Sequence, residues 1–406
     1  MENIILLTGL IIVANLIIQV SLARTVVPAM IGYLLLGVLL RTCDAGWSFL
    51  DETHLDIFGF LAQIGVIMLL FRVGLESDIK GLLEQLPKAG MIWVGDVVIS
   101  GIAGFAAAFY LMDLSMATSL IIATAFTATS VGISVAVWQN KHALQSSTGR
   151  LLIDIAEMDD ISAVILMALL FSLLPLIKNI SDPQALLPAV GKTLGIFGIK
   201  FVFFGICCLL FSLYIEKPVT DFFRKRAAKP QPMLLVIGIG IMVSSLAAWL
   251  GFSFAIGAFF AGLVFSRDPE TVKMEANFLP IYDLFSPFFF IGIGLDIDPG
   301  VMISSLQPAL FLLAAAFLGK FIADGLPVWI MDGKTSALLI GMSMIPRAEI
   351  AMIVMQRGLQ LGDWAVGPEV YGAMIILCTL TCLIPPFFVQ ILLEKHPPDQ
   401  ADNRSS

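Results

Sequence analysis

Apolar runs of roughly twenty residues, parted by short polar stretches, recur along the chain from residue 3 to residue 393. A bilayer core about 30 Å thick takes about 20 apolar residues per helix, and fewer where a helix is short or broken. On that measure the pattern predicts about thirteen spans, at 3–23, 25–41, 56–75, 87–111, 114–138, 150–175, 188–214, 231–250, 252–266, 279–296, 303–330, 335–357 and 369–393. The expected fold class is an all-α integral membrane protein. The first run follows Met1 and Glu2 without the basic stretch of a cleaved leader, so it is read as a spanning helix.

Composition agrees with the pattern. The chain is 58% hydrophobic and 13% charged, with a mean hydropathy of +0.95, too apolar for a soluble globule of 406 residues. A formal net charge of −8 and the lack of a basic stripe with interleaved aromatics argue against nucleic acid as a partner. Cys43, Cys207, Cys208, Cys378 and Cys382 mostly sit in apolar runs and read as packing residues, while His54, His142 and His396 fall in loops or tails. Neither set suggests a cofactor, and no enzyme chemistry is expected.

Lysine and arginine set the expected orientation. With the N-terminus outside, the inner loops hold Arg24, Lys80, Lys88, Lys141, Arg150, Lys217, Arg224, Lys225, Arg226, Lys229, Arg267, Lys273, Lys334, Lys395 and Arg404. The outer side then holds only Arg41, Lys178, Lys192 and Arg357, the asymmetry of an N-out, C-in plasma-membrane protein. A short polar tail at 394–406 follows the last span, so no soluble regulatory domain is expected. Six spans precede the seventh and six follow it, which gives the fifth and twelfth opposite directions and suggests inverted repeats.

Charges inside the spans carry the chemistry. Asp159 and Asp160 stand side by side in the sixth span, where one aspartate costs about +2.5 to +3.5 kcal/mol at a helix centre. Two neighbours need partners, protons or a bound cation. Lys320 lies at matching depth, about ten residues from the inner end of its helix at about 1.5 Å per residue, and is a natural partner. Arg72 and Lys200 are placed to snorkel toward an interface. Asp154 and Glu157 share a broad helical face with Asp160, at about 100° per residue, while Asp159 points to its edge. Asp154, Glu157, Asp96 and Arg72 receive no defined role.

Two spans look broken. The fifth contains Thr-Ala-Thr-Ser-Val-Gly-Ile-Ser at 127–134, a patch that offers hydroxyls and carbonyls as hard oxygen ligands if it unwinds. The same patch also suits close helix packing. The twelfth reads Gly-Met-Ser-Met-Ile-Pro-Arg-Ala-Glu-Ile-Ala-Met at 341–352, and Pro346 removes a backbone hydrogen bond in mid-helix. Arg347 and Glu349 are expected to compensate the exposed ends, guanidinium toward carbonyls and carboxylate toward amides.

Together these residues resemble the monovalent cation:proton antiporter-2 family. The resemblance runs through Pro-Ala-Met-Ile-Gly-Tyr-Leu-Leu-Leu-Gly at 28–37, Leu-Leu-Phe-Arg-Val-Gly-Leu-Glu at 69–76 and the patch at 127–134. It continues through Asp159 and Asp160, Gly-Ala-Phe-Phe-Ala-Gly at 257–262, Phe-Phe-Ile-Gly-Ile-Gly at 289–294, Lys320 and 346–349. It implies an NhaA-like fold and a homodimer. Dimerisation helices are expected at 1–55 and 231–300, core helices at 56–175 and 303–393, and a linker helix at 188–214. It further implies that Asp160 ligates the transported cation with Asp159 and Thr129, that Asp159 pairs with Lys320, and that Thr129 and Ser130 lie beside the site. Ala348, where glycine is usual, and Arg72, usually apolar, depart from the pattern.

The leading reading is exchange of Na+ or Li+ for H+, electrogenic and by an elevator motion, as the Asp-Asp-Lys set implies. Alternatives are K+/H+ exchange, sodium-coupled uptake of an organic anion, and a membrane sensor whose charges form a static network. The partners expected are membrane lipid and a second copy of the chain.

Overall fold

The computed structural model describes residues 2–23, 25, 27–77, 79–179, 183–226, 232–266 and 275–396. Arg24, Lys229, Arg267, Lys273 and Arg404 of the charge pattern, and the tail beyond residue 396, lie outside the described residues. Every regular element among those described is helical. In chain order they are α1 (Glu2–Leu22), α2 (Ala29–Trp47), α3 (Glu52–Glu76), α4 (Ile79–Ala106), α5 (Met116–Thr127), α6 (Val131–Asn140), α7 (Ser147–Asn179) and α8 (Pro183–Leu210). Then follow α9 (Glu216–Arg226), α10 (Pro232–Trp249), α11 (Phe254–Phe265), α12 (Glu275–Leu295), α13 (Leu306–Lys320), α14 (Leu326–Ser343), α15 (Glu349–Gln360) and α16 (Pro368–Lys395).

Ten helical stretches among the described residues are long and apolar enough to cross a membrane, and two shorter apolar helices, Met233–Trp249 and Phe254–Phe265, accompany them. Their outward faces are oily. On α8, Leu187 is 77% and Ile199 74% exposed, as suits a helix facing lipid rather than water. The stretch expected at 188–214 is longer than expected, running from Gln184 to Phe222 through a π-helical turn at Phe211–Ile215.

The expected spans 303–330 and 335–357 are joined in an unexpected way. Helix α13 passes through a π turn, Phe321–Gly325, into α14, and the apparent 38-residue helix Leu306–Ser343 is interrupted at Gly333, with φ 87° and ψ 177°. That left-handed φ suits glycine and carries no side-chain penalty there.

By contacts the chain falls into two compact units. The first contains 1–6, 47–79 and 164–292, and the second 7–46, 80–163 and 293–406. This grouping differs from the one expected from sequence. Helix α3, placed with the core helices at 56–175, belongs with the first unit, and most of α1 and α2 belong with the second.

The reason for the α3 placement is a close backbone crossing. A Cβ on Gly74 of α3 would lie 2.1 Å from the Phe259 carbonyl oxygen, and one on Gly262 of α11 would lie 2.2 Å from that of Phe71. Small residues let two membrane helices approach to backbone contact, which is where their packing energy comes from. Phe71 then packs at a tilt against Phe265 and Phe278, with centroids 6.5 and 5.6 Å away. In the same unit Arg72 bonds Glu76 at 2.6 Å and lies over the Tyr282 ring. Lys200 donates to the Leu250 carbonyl at 2.8 Å, capping the chain where α10 ends.

Gly262→Leu should therefore force α3 and α11 apart at a cost of about 3 kcal/mol. A lowered thermal unfolding midpoint in detergent is the expected result, and an unchanged midpoint would contradict the crossing.

Candidate ion-binding site

Within the second unit two helices break and their breaks meet. Helix α5 stops at Thr127, and Ala128 (ψ 143°) and Ser130 (ψ 77°) carry the chain in extended form into α6. Pro346 lacks an amide hydrogen and disfavours helix at the residue before it, so α14 ends at Ser343 and α15 restarts at Glu349. The two extended segments bond directly: the Ser130 amide donates to the Pro346 carbonyl at 2.8 Å.

Unwound backbone in a membrane must be satisfied by protein, and at both breaks buried side chains bond to it. Arg347 is fully buried, and its Nη1 donates to the carbonyls of Phe126 and of Ala128, the latter at 2.7 Å, at the carbonyl-rich end of α5. The guanidinium also lies 4.6 Å from the Phe126 ring centroid. Glu349, the first residue of α15, accepts from the Ser130 hydroxyl at 2.5 Å. Helix α16 props the second break, with Thr381 Oγ1 accepting from the Arg347 amide at 3.3 Å and Cys382 Sγ donating to the Arg347 carbonyl. From the first break, Ser134 donates to the Ser343 carbonyl at 2.7 Å.

Beside the crossing lies the acidic centre. Asp159 Oδ2 accepts from Thr129 Oγ1 at 2.7 Å and from Lys320 Nζ at 2.6 Å, while its Oδ1 is buried without a partner. Asp159 and Lys320 are both fully buried. Asp160, the next residue, differs in burial and bonding. It is half-buried, as are Asp154 and Glu157 on the same broad face of α7, and makes no hydrogen bond or ion pair among the described residues. The charges that act on it are those of Asp159, Glu349, Glu157 and Lys320. One continuous helix thus carries one aspartate bonded to a lysine and, next to it, a less deeply buried one that is not.

Two further buried acids join this centre. Asp96 on α4, fully buried, forms a second ion pair with Lys320 through its Oδ2. Asp324 lies on the π turn four residues beyond Lys320, fully buried, with neither carboxyl oxygen bonded. Sequence reading left Asp96 without a role and passed over Asp324. Each was visible as an acid inside a span, and Asp324 also by its helical spacing from Lys320.

Chemically the centre offers hard oxygens: the carboxylates of Asp159, Asp160, Asp96 and Asp324 and the Thr129 hydroxyl, with Lys320 held by Asp159 and Asp96. No cluster of three His, Cys, Asp or Glu side chains suited to a resident metal occurs among the described residues. Such a donor set suits weak, reversible capture of a monovalent cation as a transported substrate.

Comparison with known proteins agrees with this chemistry. The chain is 29% identical over 393 residues to a Na(+)/H(+) antiporter of Enterococcus hirae, a match covering 95% of this chain and 97% of that one. It is 26% identical to the high-affinity Na(+)/H(+) antiporter NhaS3 of Synechocystis, covering 86% of this chain and 74% of the relative. In architecture it matches the sodium proton antiporter MjNhaP1 of Methanocaldococcus jannaschii, with a TM-score of 0.69 at 15% identity over 97% of this chain and 96% of that one. The profile of the sodium/hydrogen exchanger transmembrane family matches residues 7–395, and the protein belongs to that family of cation:proton antiporters.

Proposed function

We propose that the protein exchanges Na+ or Li+ for H+ across the plasma membrane, electrogenically and by an elevator-type alternation of access. The observation that carries the proposal is the division of labour on α7: Asp159 is held by Thr129 and Lys320, while adjacent Asp160 is half-buried and makes no hydrogen bond or ion pair among the described residues. A cation reaching Asp160 finds Thr129 and the unbonded oxygen of Asp159 as further hard ligands. It competes with Lys320 for Asp159, and protons on the two carboxyls displace it again. Arg347 and Glu349 hold the crossing rigid while this happens, and Ser130 ties Glu349 to the first break.

The same proposal includes the membrane layout. Thirteen crossings follow if the stretch Leu306–Ser343 is divided at Gly333 and α15 completes the second part. An odd count puts the termini on opposite sides, and the distribution of basic residues supports an N-terminus outside and a C-terminus in the cytoplasm. The ion site lies on helices of one compact unit. We further propose an NhaA-like plan of inverted repeats, core and dimerisation helices and a linker over 188–214, working as a homodimer.

Potassium is the second reading. Hard oxygen ligands accept K+ as well as Na+. A relative from Bacillus cereus that is 27% identical over 365 residues is named a Na(+)/H(+)-K(+) antiporter, and its match covers 88% of each chain.

Proteoliposomes loaded with a pH-sensitive dye decide between them. Added Na+ or Li+ should dequench the dye in wild type, and Asp160→Asn should reduce the response to background. A response to K+ alone would replace the sodium reading, and an Asp160→Asn variant as active as wild type would overturn the site. Lys320→Gln leaves buried acids without their cation and should cost about 3 kcal/mol of stability or more. Thermal unfolding in detergent checks it, and an unchanged midpoint together with unchanged exchange would contradict the pairing.

A further inference from the structure

Lys320 has more acid around it than one salt bridge needs. Its ammonium has three donors. One goes to Asp159 and one to Asp96, all three side chains fully buried. On its own helix, Asp324 is fully buried with both oxygens unbonded. The π turn Phe321–Gly325 follows Lys320 at once and keeps residues 320 and 324 on nearly one face. A buried carboxyl with no partner in one arrangement of a protein calls for an explanation, and one that acquires a partner in another arrangement supplies it.

We infer that Asp96 and Asp324 form a holding cradle for the Lys320 ammonium, which keeps it in place when a cation draws Asp159 away. This rests on the antiport reading and deepens it. The lysine exchanges partners rather than being stranded: Asp96 retains it throughout, and Asp324 accepts the donor that Asp159 gives up. Asp96 and Asp324 are thus positioning residues that act on the cation through Lys320. The other charges facing the lysine, Arg347 on the second break and Asp160 on α7, belong to the crossing and to the cation.

The sign of the effect follows. Without the cradle, Lys320 depends on Asp159 alone, so a cation must displace a more firmly held lysine. Asp96→Asn and Asp324→Asn should each raise the KM for Na+, by about tenfold for Asp96→Asn (1.4 kcal/mol in binding), with a smaller change in kcat. Asp96→Glu should restore most of the affinity. A merely structural role would lower the yield of active protein and leave KM alone.

The decisive measurement is Na+ binding to purified protein in detergent by calorimetry, alongside dye-based exchange in proteoliposomes. The Asn variants are compared in the wild-type and Lys320→Gln backgrounds. Weakened Na+ binding by Asp96→Asn in wild type, and little further weakening in Lys320→Gln, supports the cradle. Equal weakening in both backgrounds would show that the acid acts on the cation directly and would overturn it. Na+ KM within twofold of wild type for both Asn variants, in a protein that exchanges ions, would also overturn it. If Asp96→Asn does not fold, Asp324→Asn, which removes no hydrogen bond present in the structure, carries the same test. Wild type that exchanges none of Na+, Li+ and K+ would overturn the antiport reading itself, an outcome separate from the others.

Discussion

A helix that stops in mid-membrane leaves amides and carbonyls with no water to bond, and the second unit is organised around meeting that requirement. The solution is to break two helices at one place so that each break satisfies the other. Ser130 gives its amide to Pro346, Arg347 reaches back to the carbonyls at the end of α5, and Glu349 takes the Ser130 hydroxyl. A guanidinium suits this task because it stays charged when buried, and a single nitrogen, Nη1, with two hydrogens reaches the carbonyls of both Phe126 and Ala128. The positive charge falls where a helix ends in carbonyls and the negative charge where another begins with amides, so each opposes a helix dipole.

The acidic centre depends on that crossing. Thr129 can bond Asp159 only because the chain at 128–130 is extended, which frees its hydroxyl from the i−4 carbonyl it would otherwise seek within a helix. Lys320 then finds Asp159 and Asp96 from two other helices. A lysine buried among acids is a poor source of stability compared with a well-packed apolar core, since desolvation takes back much of the attraction. Its retention makes sense if its partners change during a working cycle.

The sequence made the chemistry of the crossing readable because its signals are local. Pro346 beside Arg347 and Glu349 is a compact pattern, as is the hydroxyl patch at 127–134, and their geometry follows from proline and from helix ends. The adjacent pair Asp159 and Asp160 announced itself by cost alone. Asp96 carried the same cost as an acid inside a span, but its partner lies 224 residues away and no helical neighbour pointed to it. The placement of α3 was hidden for the same kind of reason. Gly74 and Gly262 look like ordinary membrane glycines until the backbones that meet at them are seen together.

The bond from Ser130 to Pro346 runs between main-chain atoms only. Mutation at either position leaves the acceptor carbonyl in place, and any residue but proline at 130 keeps the donor. The link between the two breaks therefore does not depend on the Ser130 side chain, whereas the second break itself depends on proline at 346. A changed hydroxyl at 130 would cost the bond to Glu349 and still leave the two breaks tied to each other.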